Sequence, residues 1–202
     1  MLDVVMRHDA LPGRIVLTSS RAVDGEGAWR TADGTVVYPA QRTRAALGVE
    51  PVVLRFQNVD GPGQSLANPC TGITSPLCRM AKPGRSIPLD EDGQVRRDFI
   101  LIDEIARAVH AAATVADAPV GPVDIGSGEH QTIALAAELI AEHYGAPAPH
   151  APGEFREGDV RHAWADVTRA PEVLGWRPLH ALRAGITALA TWIDAQEHIP
   201  AL

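Results

Sequence analysis

Lysine occurs once in this chain, as Lys82, so few residues could pair a phenol with a nearby cation for acid–base chemistry. Tyr38 and Arg42 are four residues apart, and on a helix this spacing would place a phenol beside a permanent positive charge. Such a charge lowers the pKa of a phenol and favours its use as a general base. Pro39, however, argues against a helix that already runs through Tyr38. Only about ten residues then remain before Pro51, fewer than the ~12 that a helical crossover requires.

A hairpin is the simpler interpretation of this segment. Residues 29–38 contain Asp33-Gly34 between extended residues, and this dipeptide is typical of a two-residue hairpin turn. We therefore place Tyr38 at the end of a hairpin, and Tyr38 with Arg42 is the weaker hypothesis for a catalytic base.

The composition excludes several classes of function. The net charge is −7 and the pI is about 5.6, whereas a nucleic-acid-binding protein needs a basic face. The eight histidines and two cysteines form no His-Glu-x-x-His or Cys-x-x-Cys pattern, so we expect no metal site. No segment has the length of a membrane span or the layout of a signal peptide. We expect a cytoplasmic protein without nucleic-acid or membrane partners.

The periodicity of apolar residues predicts an α/β protein. Strands that alternate with helices favour a largely parallel sheet. The predicted elements are buried strands at 14–18 and 51–56, a helix at 74–81, an extended segment at 97–101 before a helix at 103–113, a strand at 122–125, a helix at 131–144, and a last helix with Leu182, Ile186, Leu189 and Ile193 on one stripe.

Five motifs, in one order along the chain, resemble those of one enzyme family. They are Leu17-Thr18-Ser19-Ser20, Leu54-Arg55-Phe56-Gln57-Asn58-Val59-Asp60-Gly61-Pro62-Gly63, Arg97-Asp98-Phe99, Asp124-Ile125-Gly126-Ser127-Gly128, and Phe155-Arg156-Glu157-Gly158-Asp159 with Trp164-Ala165-Asp166 and Leu174-Gly175-Trp176 after it. The chain thus resembles the later part of the extended short-chain dehydrogenase/reductase family, specifically its NAD-dependent nucleotide-sugar epimerases and dehydratases. Ser20-Arg21-Ala22-Val23 followed by Gly25-Glu26-Gly27-Ala28-Trp29 is most similar to bacterial deoxysugar 4-epimerases.

The resemblance implies a role for residues near the reacting centre. In the family, nicotinamide takes a hydride from the sugar while a tyrosine, assisted by a lysine, removes the hydroxyl proton. Ser20 matches the serine that positions the same substrate oxygen, although a serine after a strand also caps turns. Phe56 matches a residue beside nicotinamide, although a buried strand aromatic is the default interpretation.

The resemblance also implies residues that bind a nucleotide-diphosphate sugar of the dTDP or UDP type. Asn58 matches an asparagine that meets the phosphate or the sugar, and its alternative is a turn-forming role. Arg97 and Arg156 match arginines that clamp the diphosphate, and their alternative is a surface ion pair with the acidic residue that follows each. Asp159 is expected to orient Arg156.

Two parts of the family's catalytic design have no counterpart in this sequence. Gly25-Glu26-Gly27 is followed by no third glycine, so no Gly-x-x-Gly-x-x-Gly turn is present to hold the pyrophosphate of NAD. No lysine lies between Ser20 and Leu54, as if the Tyr-x-x-x-Lys helix had been removed between Leu47 and Gly48. Aspartates also stand where the family pattern has aromatic residues, namely at Asp24, Asp60 and Asp90.

These observations lead to one expected architecture and several functional hypotheses. We expect a partial Rossmann-like parallel sheet plus a C-terminal α/β substrate lobe. Residues 1–60 would be a remnant of the cofactor domain and 61–202 the substrate lobe, unless later strands return to the sheet and make one domain. NAD is implied by the family, whereas the glycine pattern argues against its binding by this chain. We expect a truncated protein that is catalytically impaired but keeps a nucleotide-sugar-binding lobe. One alternative is an active or split 4-epimerase that a partner chain completes. Another is a non-catalytic dimerisation partner or homodimer.

Overall fold

Strands and helices alternate along the part of the chain that the computed structural model describes, which comprises residues 13–20, 29–30, 36–37, 50–66, 68, 72–119, 121–153 and 162–196. The strands are β1 Arg14–Ser20, β2 Trp29–Arg30, β3 Val36–Val37, β4 Glu50–Phe56, β5 Asn58–Asp60, β6 Arg96–Leu101, β7 Val123–Ile125, β8 His130–Thr132 and β9 His162–Ala163. The helices are α1 Thr74–Ala81, α2 Ile102–Thr114, α3 Ile133–Tyr144, α4 Arg169–Leu174 and α5 Leu182–Asp194.

Three parallel strands form the first sheet, in the order β1-β4-β7, which confirms the predicted parallel α/β arrangement. Val52 and Leu54 of β4 are fully buried, as predicted for that strand. The prediction that β1 is equally buried was wrong, because Leu17 is 44% exposed. Among the described strands β1 pairs only with β4 and stands at the end of the sheet, so one of its edges has no neighbouring strand to shield it.

A small antiparallel pair joins β2 to β3, with Trp29 opposite Val37 and Arg30 opposite Val36. The predicted hairpin is confirmed for these residues. Tyr38 and Arg42 lie outside the described residues.

The second sheet is built around β6. β5 and β9 pair with β6 in parallel, and β8 pairs with it antiparallel. β7, from the later part of the chain, pairs with β4, so strands from both sides of residue 60 share the first sheet. The division of the chain into two domains stays a prediction.

The helix predicted at 131–144 begins two residues later than expected. His130–Thr132 forms strand β8 instead, and the backbone N–H of Leu135 donates to the Thr132 hydroxyl at 3.1 Å. Thr132 thus provides the N-cap of α3, which sets the position where the strand ends and the helix starts.

Two hydrophobic cores lie on opposite faces of β6. The first holds Phe99 with the apolar faces of α1, α3 and α5. The second holds Ile100 with residues of β4, β7, α2 and α4. Side chains alternate along a strand, so one strand contributes to both cores.

Arg14, the first residue of β1, contacts the carboxyl end of α2. Its guanidinium donates to the carbonyl oxygens of Ala112 and Ala113 at 3.4 Å, to that of Ala116 at 3.2 Å, and to that of Val115. Carbonyls at a helix end lack partners within the helix, and a cation there is favoured by the helix dipole. Arg14 therefore joins the first described strand to a helix from the middle of the chain.

Candidate functional site

Asn58 and Arg97, two of the predicted substrate-binding residues, line the same cavity. The cavity has a volume of about 400 Å³, and Asp90 is its acidic lining residue. Its remaining walls are apolar side chains, namely Ile73, Pro76, Leu77, Met80, Pro88, Leu89, Val95 and Ile133. The arrangement combines one cation and one amide with a largely apolar surface.

The pairing of two strands brings Asn58 and Arg97 together. Asn58 is opposite Phe99 in the parallel pair β5–β6, and Arg97 is two residues before Phe99. Residues two apart on a strand point to the same face, so all three side chains lie on the side of the first core. Arg97 is only 9% exposed, and its Nη1 donates to the carbonyl oxygen of Arg96 at 2.8 Å. A buried guanidinium at a cavity wall is well suited to an anionic ligand.

Asp98 points to the opposite face of β6 and contacts the turn after β7. Its carboxylate accepts hydrogen bonds from the Ser127 backbone N–H and hydroxyl, both at 2.7 Å, and from the Gly128 N–H at 3.1 Å. Burial raises the pKa of Asp98, and these hydrogen bonds oppose that rise. The contacts hold the turn at residues 126–128 against β6, and they do not involve Arg97.

Asn58 has spare hydrogen-bonding capacity. Its Oδ1 is buried and has no hydrogen-bond partner among the described residues. A buried polar atom without a partner destabilises a protein unless a ligand or water satisfies it. In a cavity wall, this atom is a contact point for a polar ligand.

The apolar walls of the cavity were not predicted as site residues. Ile73, Pro76, Leu77 and Met80 lie on one stripe at or within α1, at spacings of three and four residues. Proline is tolerated in the first turn of a helix, where its missing N–H is not needed. The stripe was visible in the sequence, but a stripe of this kind usually packs into a core. Leu77 both lines the cavity and packs in the first core.

Ser20 and Phe56 are directly opposite each other at the carboxyl ends of β1 and β4. Ligands of open α/β sheets bind at this edge. The Phe56 side chain is half-buried and packs against the second core. The predicted roles of these two positions beside nicotinamide and the sugar hydroxyl stay predictions, and the sequence has no glycine-rich turn for the pyrophosphate of NAD. Arg156 and Asp159 lie outside the described residues, as do Tyr38 and Arg42.

A search for other kinds of site gives two further results. Within the described ranges, no group of three or more His, Cys, Asp or Glu side chains is arranged to hold a metal ion. None of the described helices has the length and apolar character needed to cross a bilayer.

Comparison with known proteins relates this chain to nucleotide-sugar enzymes. The NAD dependent epimerase/dehydratase family matches residues 36–126. The chain is 41% identical over 243 aligned positions to the dTDP-L-rhamnose 4-epimerase of Burkholderia thailandensis, with 98% of this chain and 67% of that protein covered.

Solved structures of epimerases share the fold. A UDP-glucose 4-epimerase from Thermotoga maritima, solved with UDP-glucose, superposes with a TM-score of 0.76 at 21% identity, over 96% of this chain and 66% of that one. MoeE5, solved with UDP-glucose and NAD, gives 0.72 at 28% identity, over 96% of this chain and 68% of that one. The chain thus spans about two thirds of the length of these relatives, and the expected partial Rossmann-like α/β architecture is confirmed. Its likeness in sequence and in fold shows that this chain belongs to the NAD-dependent epimerase/dehydratase family.

Proposed function

We propose that this chain binds a nucleotide-diphosphate sugar, of the dTDP or UDP type, in the cavity between β5, β6 and α1. The observation that supports the proposal is that Asn58 and Arg97, matched independently to the family's substrate residues, line one cavity. Its volume of about 400 Å³ lies within the usual range of small-molecule sites, ~300–1,000 Å³.

The chemistry of the cavity fits a nucleotide diphosphate. Arg97 provides a permanent positive charge for phosphate oxygens, and a guanidinium can donate two parallel hydrogen bonds to them. Asn58 can donate to a phosphate or sugar oxygen and accept from a hydroxyl. The apolar stripe of α1 provides a surface on which a base or a sugar ring can pack.

The names of the relatives support this ligand class. The Burkholderia relative is a dTDP-L-rhamnose 4-epimerase, and the Thermotoga and MoeE5 structures contain UDP-glucose. We therefore expect thymidine or uridine diphosphate sugars to bind in preference to free sugars.

We infer that the isolated chain does not complete the epimerase reaction. The alignment with the Burkholderia enzyme has 243 positions and this chain has 202 residues, so at least 41 positions hold no residue of this chain. Gaps of this total length leave room for an absent segment with Tyr-x-x-x-Lys, whose place near Leu47 stays a prediction. Without that tyrosine, Ser20 can position a sugar hydroxyl but has no partner to remove its proton.

Calorimetric titration with UDP-glucose and a dTDP-hexose tests the binding proposal. We expect Arg97→Ala to weaken binding by about 10-fold or more, because it removes charge-assisted hydrogen bonds, and Asn58→Ala to weaken it by about 3- to 10-fold. Arg85→Ala is the matched control, since Arg85 is exposed and does not line the cavity. If neither cavity variant differs from the control, the assignment of this cavity is wrong.

An active or split enzyme is the second candidate, favoured by the position of Ser20 opposite Phe56 at the edge where ligands of such sheets bind. Titration with NAD alone, followed by a search for the epimerised sugar, distinguishes the two candidates. Binding of NAD with turnover would establish the second candidate. Binding of nucleotide sugar without NAD supports the first. Sedimentation analysis in the same buffer tests the predicted homodimer.

A further inference from the structure

Asp60 is a buried carboxyl at the end of β5, and it has one hydrogen-bond donor. The residue is 4% exposed, and its Oδ1 accepts a hydrogen bond from the hydroxyl of Thr74, the first residue of α1. Its Oδ2 is buried and has no hydrogen-bond partner among the described residues. A carboxyl in this setting is stable mainly in its neutral form.

The hydrogen bond between Asp60 and Thr74 joins β5 to α1, the elements that contribute Asn58 and an apolar stripe to the nucleotide cavity. Asp60 itself lines the neighbouring cavity, beside Gly61 and Ile102. Asn58 lies two residues before Asp60 in β5, so both side chains are on the same face of the strand, and Asn58 lines the cavity. On the other side of the bond, α1 contributes Pro76, Leu77 and Met80 to the same cavity. The link therefore fixes the distance between the amide and the apolar wall.

Within the described ranges, the groups around Asp60 include no cation that pairs with it. From α1 the titratable neighbour is the buried thiol Cys78, whose pKa is raised to about 12 by burial and, to a smaller extent, by the charges of Asp60 and Asp194. β6 presents Leu101 opposite Asp60, and α2 presents Ile102 to the adjoining turn. Among the described residues Asp60 forms no ion pair, and the cation that lines the nearby cavity is Arg97.

We propose that Asp60 is a positioning residue of the nucleotide cavity, which holds the first turn of α1 against the strand of Asn58 and favours an anionic ligand when its own carboxyl is neutral. The inference rests on the proposed function, because it assumes that a nucleotide diphosphate occupies this cavity. Burial raises the pKa of Asp60 to about 7, against the opposing effect of the Thr74 hydrogen bond. The carboxyl therefore changes its charge in the neutral range.

Ionisation of Asp60 affects the ligand through charge repulsion. A carboxylate at Asp60 lies roughly 7 Å along the strand beyond Asn58, and because Asp60 pairs with Leu101, it lies about 13 Å along the sheet from the level of Arg97. Repulsion between like charges at this range, in partly buried surroundings, weakens binding by a factor on the order of ten. By linkage, the bound diphosphate also favours uptake of a proton by Asp60.

The test is calorimetric titration with UDP-glucose between pH 6 and pH 8.5, a range in which its diphosphate does not titrate. For the unmodified chain we expect the dissociation constant to rise on the order of tenfold across this range. Asp60→Asn keeps an acceptor for the Thr74 hydroxyl but cannot ionise, so its affinity should stay near the low-pH value throughout. Thr74→Val removes the donor that stabilises the carboxylate and should move the midpoint of the transition to higher pH.

Asp117→Asn is the matched control, because it makes the same chemical change at an exposed residue. Asp117 follows Ala116, which Arg14 contacts at the amino end of β1, whereas the cavity lies beyond the carboxyl end of β4. This variant should keep the pH dependence of the unmodified chain.

A measurement on the unmodified chain covers the case in which a variant does not fold. At pH 7, titrations in two buffers of different ionisation enthalpy should show uptake of a fraction of a proton per nucleotide bound. A flat pH profile, or an unchanged profile in Asp60→Asn, would overturn the inference while the proposed function stands. No binding of UDP-glucose at any pH would overturn the proposed function and the inference together.

Discussion

Phe99 and Ile100 are consecutive residues of β6, yet their side chains belong to different hydrophobic cores. Phe99 packs with α1, α3 and α5, and Ile100 packs with β4, β7 and α2. Both are almost fully buried. The first core forms the wall behind the cavity of Asn58 and Arg97, since Leu77 and Ile133 belong to both. The second core supports the parallel sheet.

Alanine substitutions of these two residues should each destabilise a different core, and the two effects should be distinguishable. Phe99→Ala and Ile100→Ala should lower the free energy of unfolding by about 3–5 and 2–5 kcal/mol, because each leaves a cavity in a packed core. Hydrogen exchange should show faster local opening of α5 in the first variant and of α2 in the second. The same exchange pattern in both variants would contradict the division into two cores.

Glu104 should be the most sensitive acidic residue of α2. Its side chain is fully buried and accepts hydrogen bonds from the backbone N–H groups of Leu179 and His180 at 2.9 and 3.0 Å, and from the side chains of His180 and Arg107. Glu104→Gln places an amide against these donors. It should lower the free energy of unfolding, measured by urea denaturation, by about 2–4 kcal/mol.

The neighbouring acid provides the control for this prediction. Asp103 is exposed in the first turn of the same helix, where a negative charge contributes ~0.3–1 kcal/mol through the helix dipole. Asp103→Asn should therefore have the smaller effect, and an equal loss in the two variants would show that Glu104 is not an anchor for the segment before α5.

Gly126 should tolerate alanine less well than Gly145, although Gly145 has the less common backbone. A Cβ on Gly126 would lie 2.6 Å from Cγ of Gln57 and would overlap the Asp98 carboxylate, so the turn or β6 must shift, at a cost of about 1–3 kcal/mol or more. Gly145 ends α3 with φ +60° and open space around it, where alanine costs about 1 kcal/mol. Thermal unfolding of the two variants compares these costs, and the reverse order would argue against the tight turn.

The stability of the protein should fall between pH 4 and pH 7 because of Asp60. Its pKa is about 7 in the folded protein and 3.8 as the ordinary value, so the folded state holds this proton over a range in which the unfolded state has lost it. The stabilisation is fully present below the ordinary value and is lost as the pH rises through the folded one. Relative to Asp60→Asn, the unmodified chain should lose on the order of 3 kcal/mol between pH 4 and pH 8. A constant difference in the free energy of unfolding between the two proteins across this range would contradict the raised pKa of Asp60.

Much of the fold could be predicted from local patterns. The helix at 74–81 was predicted with its observed bounds, and Ile186, Leu189 and Ile193 of the last helix are buried, as their spacing indicated. The short strands β8 and β9 were not predicted. Such strands exist because β6 pairs with them, and a partner more than 30 residues away leaves no periodic pattern in a short segment.

The candidate site could be predicted only in part. The resemblance identified Asn58 and Arg97, and the pairing of β5 with β6 places them on one face. The same resemblance marked Asp60 as a departure from the family pattern, but the sequence did not show that Thr74 would contact it. That contact depends on how α1 packs against β5, which is a tertiary property. The roles of all the predicted site residues stay predictions, namely those of Ser20, Phe56, Asn58, Arg97, Arg156 and Asp159.

The contact between Arg14 and the carboxyl end of α2 has a consequence for the order of folding. The carbonyls that Arg14 satisfies are about 100 residues away along the chain. The last turn of α2 therefore gains its donors only after β1 has docked beside β4, and this contact is costly to form early because it closes a long loop. The final turn of α2 should therefore be the part of this helix that becomes protected late.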